Sequence, residues 1–150
     1  MKLGNTKMFE KVVIGVGEQP LMIRWILVRF PAFGIYLHKF LRSDYDRALH
    51  DHPWPFIAII LAGGYTEVHD QTTDGKHISI FHKPWSVLLR PAEWRQRVVI
   101  GDKPSWSLVI VGRRQRSWGF FLPDGWCWWR KHNPTAAICE EEVIWTTGSD

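Results

Sequence analysis

The chain has 150 residues, of which 45% are hydrophobic, and 19 Lys and Arg against 15 Asp and Glu give a formal net charge of +4. This length and apolar content suit one domain with a sizeable core, so we predict a single domain over residues 1–150 with its core at about 22–130. The positive charge is not collected in a long Lys/Arg run, and we therefore expect no nucleic-acid partner.

The sequence also predicts a protein without a membrane partner. Its most apolar early stretch, residues 20–37, is interrupted by Arg24, Arg29 and Pro31 and is too broken to span a bilayer. The first residues contain no uninterrupted apolar region typical of a signal peptide. The two cysteines, Cys127 and Cys139, have neither a zinc-site spacing nor the pattern of a disulfide framework, so a reducing cytoplasm is the expected location.

Short apolar, β-branched and aromatic runs alternate with turn residues along most of the chain. Such spacing predicts an antiparallel, all-β sandwich or barrel, with one short helix possible near the C-terminus at residues 134–145. The predicted strands are residues 22–30, 33–42, 56–62, 65–70, 77–82, 86–90, 95–100 and 106–112.

Two histidines stand one residue apart in the stretch ALHDHPWPF, residues 48–56. Residues two apart on a strand share a face, so His50 and His52 point the same way if the strand has begun. The same face continues through Trp54 and Phe56, which is typical of a barrel interior. An alternative interpretation is that the two histidines are structural or face solvent.

Gly63 and Gly64 predict a two-residue hairpin that folds the next strand back onto this one. Directly paired residues share a face, so Tyr65, Glu67 and His69 would join the histidines on one wall. A bulge at the turn would reverse that assignment. The predicted pairs are Ala62 with Tyr65, Ile60 with Glu67, and Ala58 with His69.

Imidazoles and a carboxylate grouped among apolar side chains favour a divalent transition metal. Fe, Mn, Ni, Cu and Zn all accept such ligands, and geometry selects among them. Burying these polar groups without partners is costly, so they must bind an ion or one another.

The histidine pair and the glycine turn resemble the motifs of the cupin superfamily. The first cupin motif has two histidines separated by one residue, then a glutamate, then a glycine turn. His50, His52 and Gly63 match this motif. Phe56 occupies the position of the glutamate. In the second motif Pro91 matches. Trp85, Glu93 and Gln96 stand where two glycines and a histidine are expected.

More specifically, the chain resembles a group of uncharacterised bacterial and phage-borne cupin-like proteins with an HDHPW motif, in which histidine is usual at the Gln96 position. The resemblance implies a jelly-roll barrel (double-stranded β-helix) and covers most of residues 36–130. The matching stretches are LHKFLRSDYDRALHDHPW, ILAGGYTE, LLRPAEWRQRV, PSWSLVIVG and WGFFLPDGWCWW.

A cupin metal site needs three or four protein ligands. The resemblance implies that His50 and His52 are two of them. Glu67, on the strand predicted to lie beside them, would replace the missing glutamate as the third ligand. The amide oxygen of Gln96 would be a fourth. A neutral amide is a poor ligand beside imidazole, so we expect Fe, Mn, Ni or Zn to bind weakly. Gln96 can instead be a hydrogen-bonding pocket residue without metal.

Aromatic residues concentrate in residues 118–133, around a turn at Pro123. They can form a flap over one barrel end, a wall of the ligand pocket, or an oligomer interface. Exposed sheet edges favour a homodimer. The predicted pocket residues are Tyr65, His69, Trp54, Phe56 and Trp118.

Three functions are consistent with these patterns. The first is a metal-dependent cupin enzyme acting on a small organic molecule, for which the sequence assigns no catalytic residue beyond a choice of Tyr65 or His69. The second is a non-catalytic module that binds a small molecule or a metal. The third is a phage-associated structural or interaction protein that uses the scaffold without metal, because a fold alone does not fix a function.

Overall fold

A computed structural model describes residues 6–16, 19–44, 48–70, 76–133 and 138–139. Two six-stranded sheets contain most of these residues, and every strand pairing in them is antiparallel. Within the described ranges there is no α-helix, only one 3₁₀ turn at Trp129–Lys131. The prediction of an all-β fold is therefore confirmed.

The first sheet, sheet A, carries the longest strands. In spatial order it consists of β1 (Lys7–Val16), β2 (Gln19–Arg29), β3 (Gly34–Phe40), β10 (Ser105–Val111), β5 (Phe56–Ala62) and β8 (Val87–Arg90).

The second sheet, sheet B, is built from shorter strands. In spatial order it consists of β12 (Gly125–Trp128), β11 (Gly119–Leu122), β4 (Leu49–His50), β9 (Gln96–Val99), β6 (Tyr65–His69) and β7 (Ile78–His82). A separate small hairpin pairs β13 (His132–Asn133) with β14 (Ile138–Cys139).

The core lies between the inner faces of the two sheets. Alternate residues of each strand point inward, as the two-residue period of a strand requires. In β10 the burial alternates without exception, with Val109 and Val111 buried. The buried apolar cluster is Val12, Ile26, Tyr36, Trp54, Ala58, Ile60, Tyr65, Leu88, Val98, Val109 and Val111.

All eight predicted strands are present, each within three residues of the expected ends. Strand β1, whose alternation is weak, and the β11–β12 hairpin within the aromatic run were not predicted from the sequence. The predicted C-terminal helix falls mostly outside the described residues, although Ile138 and Cys139, which it included, lie in a strand.

The predicted hairpin at Gly63 and Gly64 is wrong. The chain crosses there from sheet A to sheet B, so β5 and β6 do not pair. The physical reason is that β5 already has a hydrogen-bonded partner on each side, β10 and β8. Strand β6 pairs instead with β9 and β7.

The prediction that the cysteines form no disulfide is also wrong. Cys127 of β12 and Cys139 of β14 are bonded and tie the small hairpin to the edge of sheet B. The argument from cysteine usage for a reducing compartment therefore fails, and a cytoplasmic location stays a prediction. In the part of the chain described, no helix has the length and apolar character needed to cross a membrane.

We predict that Gly63→Ala destabilises the fold. Gly63 has a φ of +78°, and an added Cβ would contact the carbonyl oxygen of Pro104 and lie 3.1 Å from the Cα of Ser105. The left-handed conformation alone costs a residue with a side chain about 1–3 kcal/mol. Urea denaturation should show that the free energy of unfolding falls by at least this amount.

The control is Gly101→Ala. An added Cβ at Gly101 meets nothing within 4 Å, and its φ is outside the left-handed region. Equal unfolding free energies for the two variants would contradict the account of the crossover.

Candidate functional site

A cavity of about 190 Å³ lies between the two sheets. Its lining is mostly aromatic and aliphatic, and a few polar side chains reach it from both walls. Of the predicted site residues it includes His50, His52, Trp54, Phe56, Tyr65, Gln96 and Trp118.

His50 faces the cavity because of its neighbours in sheet B. It pairs with Phe120 of β11 on one side and with Gln96 of β9 on the other. Gln96 in turn pairs with His69 of β6. Direct cross-strand partners share a face, so His50, Gln96 and His69 form one row on the inner face of sheet B.

His52 follows β4 in a loop that the chain around β9 holds in place. Its backbone N–H donates to the carbonyl of Ala92 at 3.0 Å, and its Nδ1 lies 3.1 Å from the carbonyl of Trp94. Burial holds the pKa of the His52 imidazole well below its ordinary 6.5, and the charge of His50 lowers it further. A neutral ring facing a carbonyl carries its proton on Nδ1, which leaves Nε2 as an acceptor.

Asp51 points away from the two histidines and anchors them. It is fully buried, its Oδ1 accepts from the backbone N–H of Gly119 at 2.8 Å, and its Oδ2 lies 2.8 Å from a guanidinium nitrogen of Arg116. The carboxylate therefore fixes β4 against β11, and its role is structural.

Glu67 is fully buried but does not line the cavity. Arg90 donates to both carboxylate oxygens, from Nε at 3.0 Å and from Nη2 at 2.7 Å. The Trp94 indole N–H donates at 3.2 Å, and Nε2 of His82 lies 3.2 Å from Oε1. The carboxylate is thus satisfied within the protein.

The charge of Glu67 is stabilised in place. Burial raises the pKa of its carboxyl, but the hydrogen bonds and charges of Arg90 and His82 outweigh burial and hold the pKa below the ordinary 4.5. Because Arg90 belongs to sheet A and His82 to sheet B, we call this cluster of Glu67, Arg90, His82 and Trp94 the inter-sheet clasp.

His69 and Tyr65 flank Glu67 on β6. His69 is buried against Trp94, with ring centroids 4.9 Å apart, and does not line the cavity. Tyr65 does line it. Burial and the charge of Glu67 raise the pKa of the Tyr65 phenol, so this group keeps its proton and can donate a hydrogen bond.

Sequence reasoning missed the opposite wall, which sheet A provides. Tyr36, His38 and Phe40 alternate along β3 and face the cavity, and Arg24 of β2 joins them. Arg24 donates through Nε to Nε2 of His38 at 3.0 Å and lies 5.0 Å from the Tyr36 ring centroid. The two-residue period of residues 36–40 is the signal that could have identified this wall.

Aromatic side chains close the cavity near the histidines. Trp118 stacks on Trp129 with ring centroids 5.6 Å apart and lies 5.9 Å from the His50 ring. Phe56 lies 4.7 Å from the His52 ring. Three roles were predicted for the aromatic residues of 118–133. Of these, the pocket-wall role applies to Trp118, Phe120 and Trp129, which line the cavity.

The donor set does not make a complete metal site. The ring centroids of His50 and His52 lie 5.2 Å apart, a spacing that two imidazoles sharing one ion can have. However, the described residues contain no group of three His, Cys, Asp or Glu side chains placed to hold a metal. Gln96 adds only an amide oxygen, and Glu67 is engaged in the inter-sheet clasp.

Solved structures show what the fold resembles. A putative mannose-6-phosphate isomerase from Ralstonia eutropha matches with a TM-score of 0.55 at 19% identity, over 67% of this chain and 91% of that one. The polyketide cyclase RemF from Streptomyces resistomycificus matches with a TM-score of 0.55 at 15% identity, over 72% and 77%. The iron(II) form of HppE matches with a TM-score of 0.55 at 13% identity, over 68% of this chain and 56% of that one.

At these identities the matches show the fold alone. The chain has the cupin-type jelly-roll barrel, and this prediction is confirmed. No protein-family model matches the sequence, and no curated protein is similar to it at the sequence level. The narrower resemblance to HDHPW-containing and phage-borne proteins stays a prediction.

We predict that Glu67→Gln is strongly destabilising. The substitution leaves the partly buried guanidinium of Arg90 against a neutral amide, and breaking a buried ion pair costs up to about 3–5 kcal/mol. Thermal and urea unfolding should both show the loss. Glu93→Gln, which removes an exposed carboxylate three residues from Arg90, should leave stability unchanged.

The loss of unfolding free energy in Glu67→Gln should depend on pH. A carboxyl group whose pKa is lowered by folding stabilises the folded state above its ordinary pKa, here 4.5, and this contribution disappears as the pH falls through the folded pKa. The stability difference between wild type and Glu67→Gln should therefore shrink below about pH 4.5. A difference that stays constant into acid would contradict the ion-pair account.

Proposed function

We propose that this protein binds a small organic molecule in the barrel cavity. The observation that carries the proposal is Oε1 of Gln96, which is buried and has no hydrogen-bond partner among the described residues although it belongs to a cavity-lining side chain. Burying an acceptor without a donor costs about 1–3 kcal/mol, and a ligand that donates to it would recover that energy.

The size and lining of the cavity support a ligand built on one planar ring. An apolar cavity of about 150 Å³ holds a benzene molecule, and this one is about 190 Å³. Mostly aromatic walls with a few convergent polar groups are typical of small-molecule sites. His50, His52 and Gln96 would contact the polar substituent, and Trp54, Phe56 and Trp118 would contact the ring.

Phenol and toluene test this proposal, because they have nearly the same shape and only phenol donates a hydrogen bond. We expect phenol to bind the wild type more tightly than toluene, and Gln96→Leu to reverse the order. Binding is measured by saturation-transfer NMR and by shifts of the tryptophan indole resonances. An unchanged preference in Gln96→Leu would remove Gln96 from the site.

Filling the cavity gives a second readout of the same prediction. Ala58 lines the cavity, so Ala58→Leu should weaken phenol binding tenfold or more, since forcing a ring against added methylenes costs about 1–3 kcal/mol. Ala62→Leu adds the same volume at an exposed position of the same strand and should change nothing. Failure of both probes to bind the wild type would contradict the proposal.

A second candidate is a weakly bound divalent metal, which would extend the function toward catalysis. The supporting observation is His52, whose Nδ1 is directed at the Trp94 carbonyl while Nε2 remains available, the arrangement that orients metal-binding histidines. His50, His52 and Gln96 would hold the ion, and Glu67 would act through Trp94 rather than as a ligand. When bound, Fe, Mn, Ni or Zn would act as a Lewis acid or activate oxygen.

We predict less than one ion per chain in wild-type protein purified without tag or chelator. Gln96→His should raise the content toward one ion per chain, because a third imidazole replaces a weak amide ligand. His50→Ala should remove the metal, and the surface variant His77→Ala should not. The metal content is measured by elemental analysis after dialysis against Zn²⁺ and Ni²⁺. If neither the wild type nor Gln96→His contains metal, the metal proposal is wrong.

A further inference from the structure

Three polar side chains form one row across the inner face of sheet A. Arg24 of β2, His38 of β3 and Ser107 of β10 are direct cross-strand partners, and all three line the cavity. In the next row of the same strands the corresponding residues belong to the hydrophobic core; they are Ile26, Tyr36 and Val109. Burying polar groups on such a face costs free energy unless they bind one another or a ligand.

The row places a permanent positive charge at the cavity. Among the described residues that line the cavity, Arg24 is the only lysine or arginine. Its guanidinium lies over the ring of Tyr36, 5.0 Å from the ring centroid. Because an arginine side chain keeps its proton in proteins, the sheet A wall is cationic at this point.

His38 is held as a neutral hydrogen-bond donor. Nε of Arg24 donates to Nε2 of His38 at 3.0 Å. Burial, and after it the charge of Arg24, lowers the pKa of the His38 imidazole well below its ordinary 6.5. A neutral ring that accepts at Nε2 carries its proton on Nδ1. With the hydroxyl of Ser107, each side chain of the row therefore contains a donor, and none of the three is anionic.

The opposite wall has the reverse polarity. Oε1 of Gln96, on sheet B, is an acceptor without a hydrogen-bond partner in the described part of the chain. The two aspartates that reach the cavity are also held at sheet B: Asp44 accepts from the backbone N–H of Val98, and Asp51 pairs with Arg116. A ligand complementary to both walls therefore has an anionic group toward sheet A and a hydrogen-bond donor toward sheet B.

The size of the cavity favours a carboxylate as the anionic group. The planar fork of a guanidinium matches both carboxylate and phosphate. The cavity is about 190 Å³, whereas one of about 150 Å³ holds benzene. The space left beside one ring suits a compact, planar carboxylate better than a bulkier phosphate ester.

We infer that Arg24, His38 and Ser107 form a carboxylate-binding subsite, and that the ligand is an aromatic carboxylic acid that also bears a hydroxyl group. The inference rests on the proposed function, because the ring must occupy the cavity for its carboxylate to reach the row. It adds the charge of the ligand and the direction in which the ligand lies between the two sheets.

Three probes test the inference: 4-hydroxybenzoate, its neutral analogue 4-hydroxybenzamide, and phenol. At neutral pH a carboxyl group is ionised, and a hydrogen bond between two charged groups is stronger than one to a neutral amide. We therefore expect the wild type to bind 4-hydroxybenzoate at least about tenfold more tightly than 4-hydroxybenzamide. Dissociation constants are measured by titration calorimetry and by shifts of the tryptophan indole resonances.

Two variants of the row and one control assign the preference to these residues. Arg24→Gln should remove the preference, because the amide carries no charge. Ser107→Ala removes one donor without changing the net charge and should lower the preference about threefold, which keeps the test decisive if Arg24→Gln does not fold. Arg113→Gln removes the same charge at an exposed loop position and should leave the preference unchanged.

The outcomes separate this inference from the proposed function. A preference for 4-hydroxybenzoate that is lost in Arg24→Gln and kept in Arg113→Gln supports the subsite. If phenol binds the wild type but 4-hydroxybenzoate binds no more tightly than 4-hydroxybenzamide, the subsite is wrong and the proposed function stands. A preference that is unchanged in both Arg24→Gln and Ser107→Ala also overturns the subsite. If none of the three probes binds, the proposed function fails and the subsite fails with it.

Discussion

The buried carboxylate of Glu67 joins the edge strands of the two sheets of this barrel. Strands β7 and β8 are the edge strands of different sheets, and their side chains His82 and Arg90 both meet Glu67. An uncompensated charge there would be costly, so the clasp forms only when both edges are in place. It also reaches the candidate site, because Trp94 donates its indole N–H to Glu67 and accepts from His52 through its carbonyl.

The candidate site that results has few ionised groups. The carboxylates around the histidines are engaged within the protein: Glu67 is paired with Arg90 and Asp51 with Arg116. Asp44, whose Oδ2 lies 3.7 Å from Nδ1 of His50, accepts from the backbone N–H of Val98. With Asp44 and Asp51 engaged in this way, the polar groups left to face the cavity on the sheet B wall are mainly imidazole and amide, beside aromatic rings. Such a lining recognises shape and hydrogen bonds more readily than it holds a doubly charged ion, which is why ligand binding stands ahead of metal chemistry in the proposed function.

Sheet A is largely apolar on both of its faces near the cavity. Its inner side chains, such as Ala58 and Val109, form a wall of the cavity, while Ile59 and Leu108 on the same strands point to the opposite face of the sheet. A strand that is buried on both faces is apolar at every position, as β5 is from Phe56 to Leu61.

The sequence by itself determined eight of the strands, the all-β class, and the common inward direction of His50 and His52, because strand periodicity is local. It failed at the Gly63–Gly64 crossover, since which strand pairs with which depends on partners distant in sequence. For the same reason the sequence could not place Arg90 beside Glu67, because Arg90 is 23 residues away along the chain and belongs to the other sheet. Tertiary structure alone decided which buried polar groups satisfy one another and which, like Oε1 of Gln96, are left without a partner.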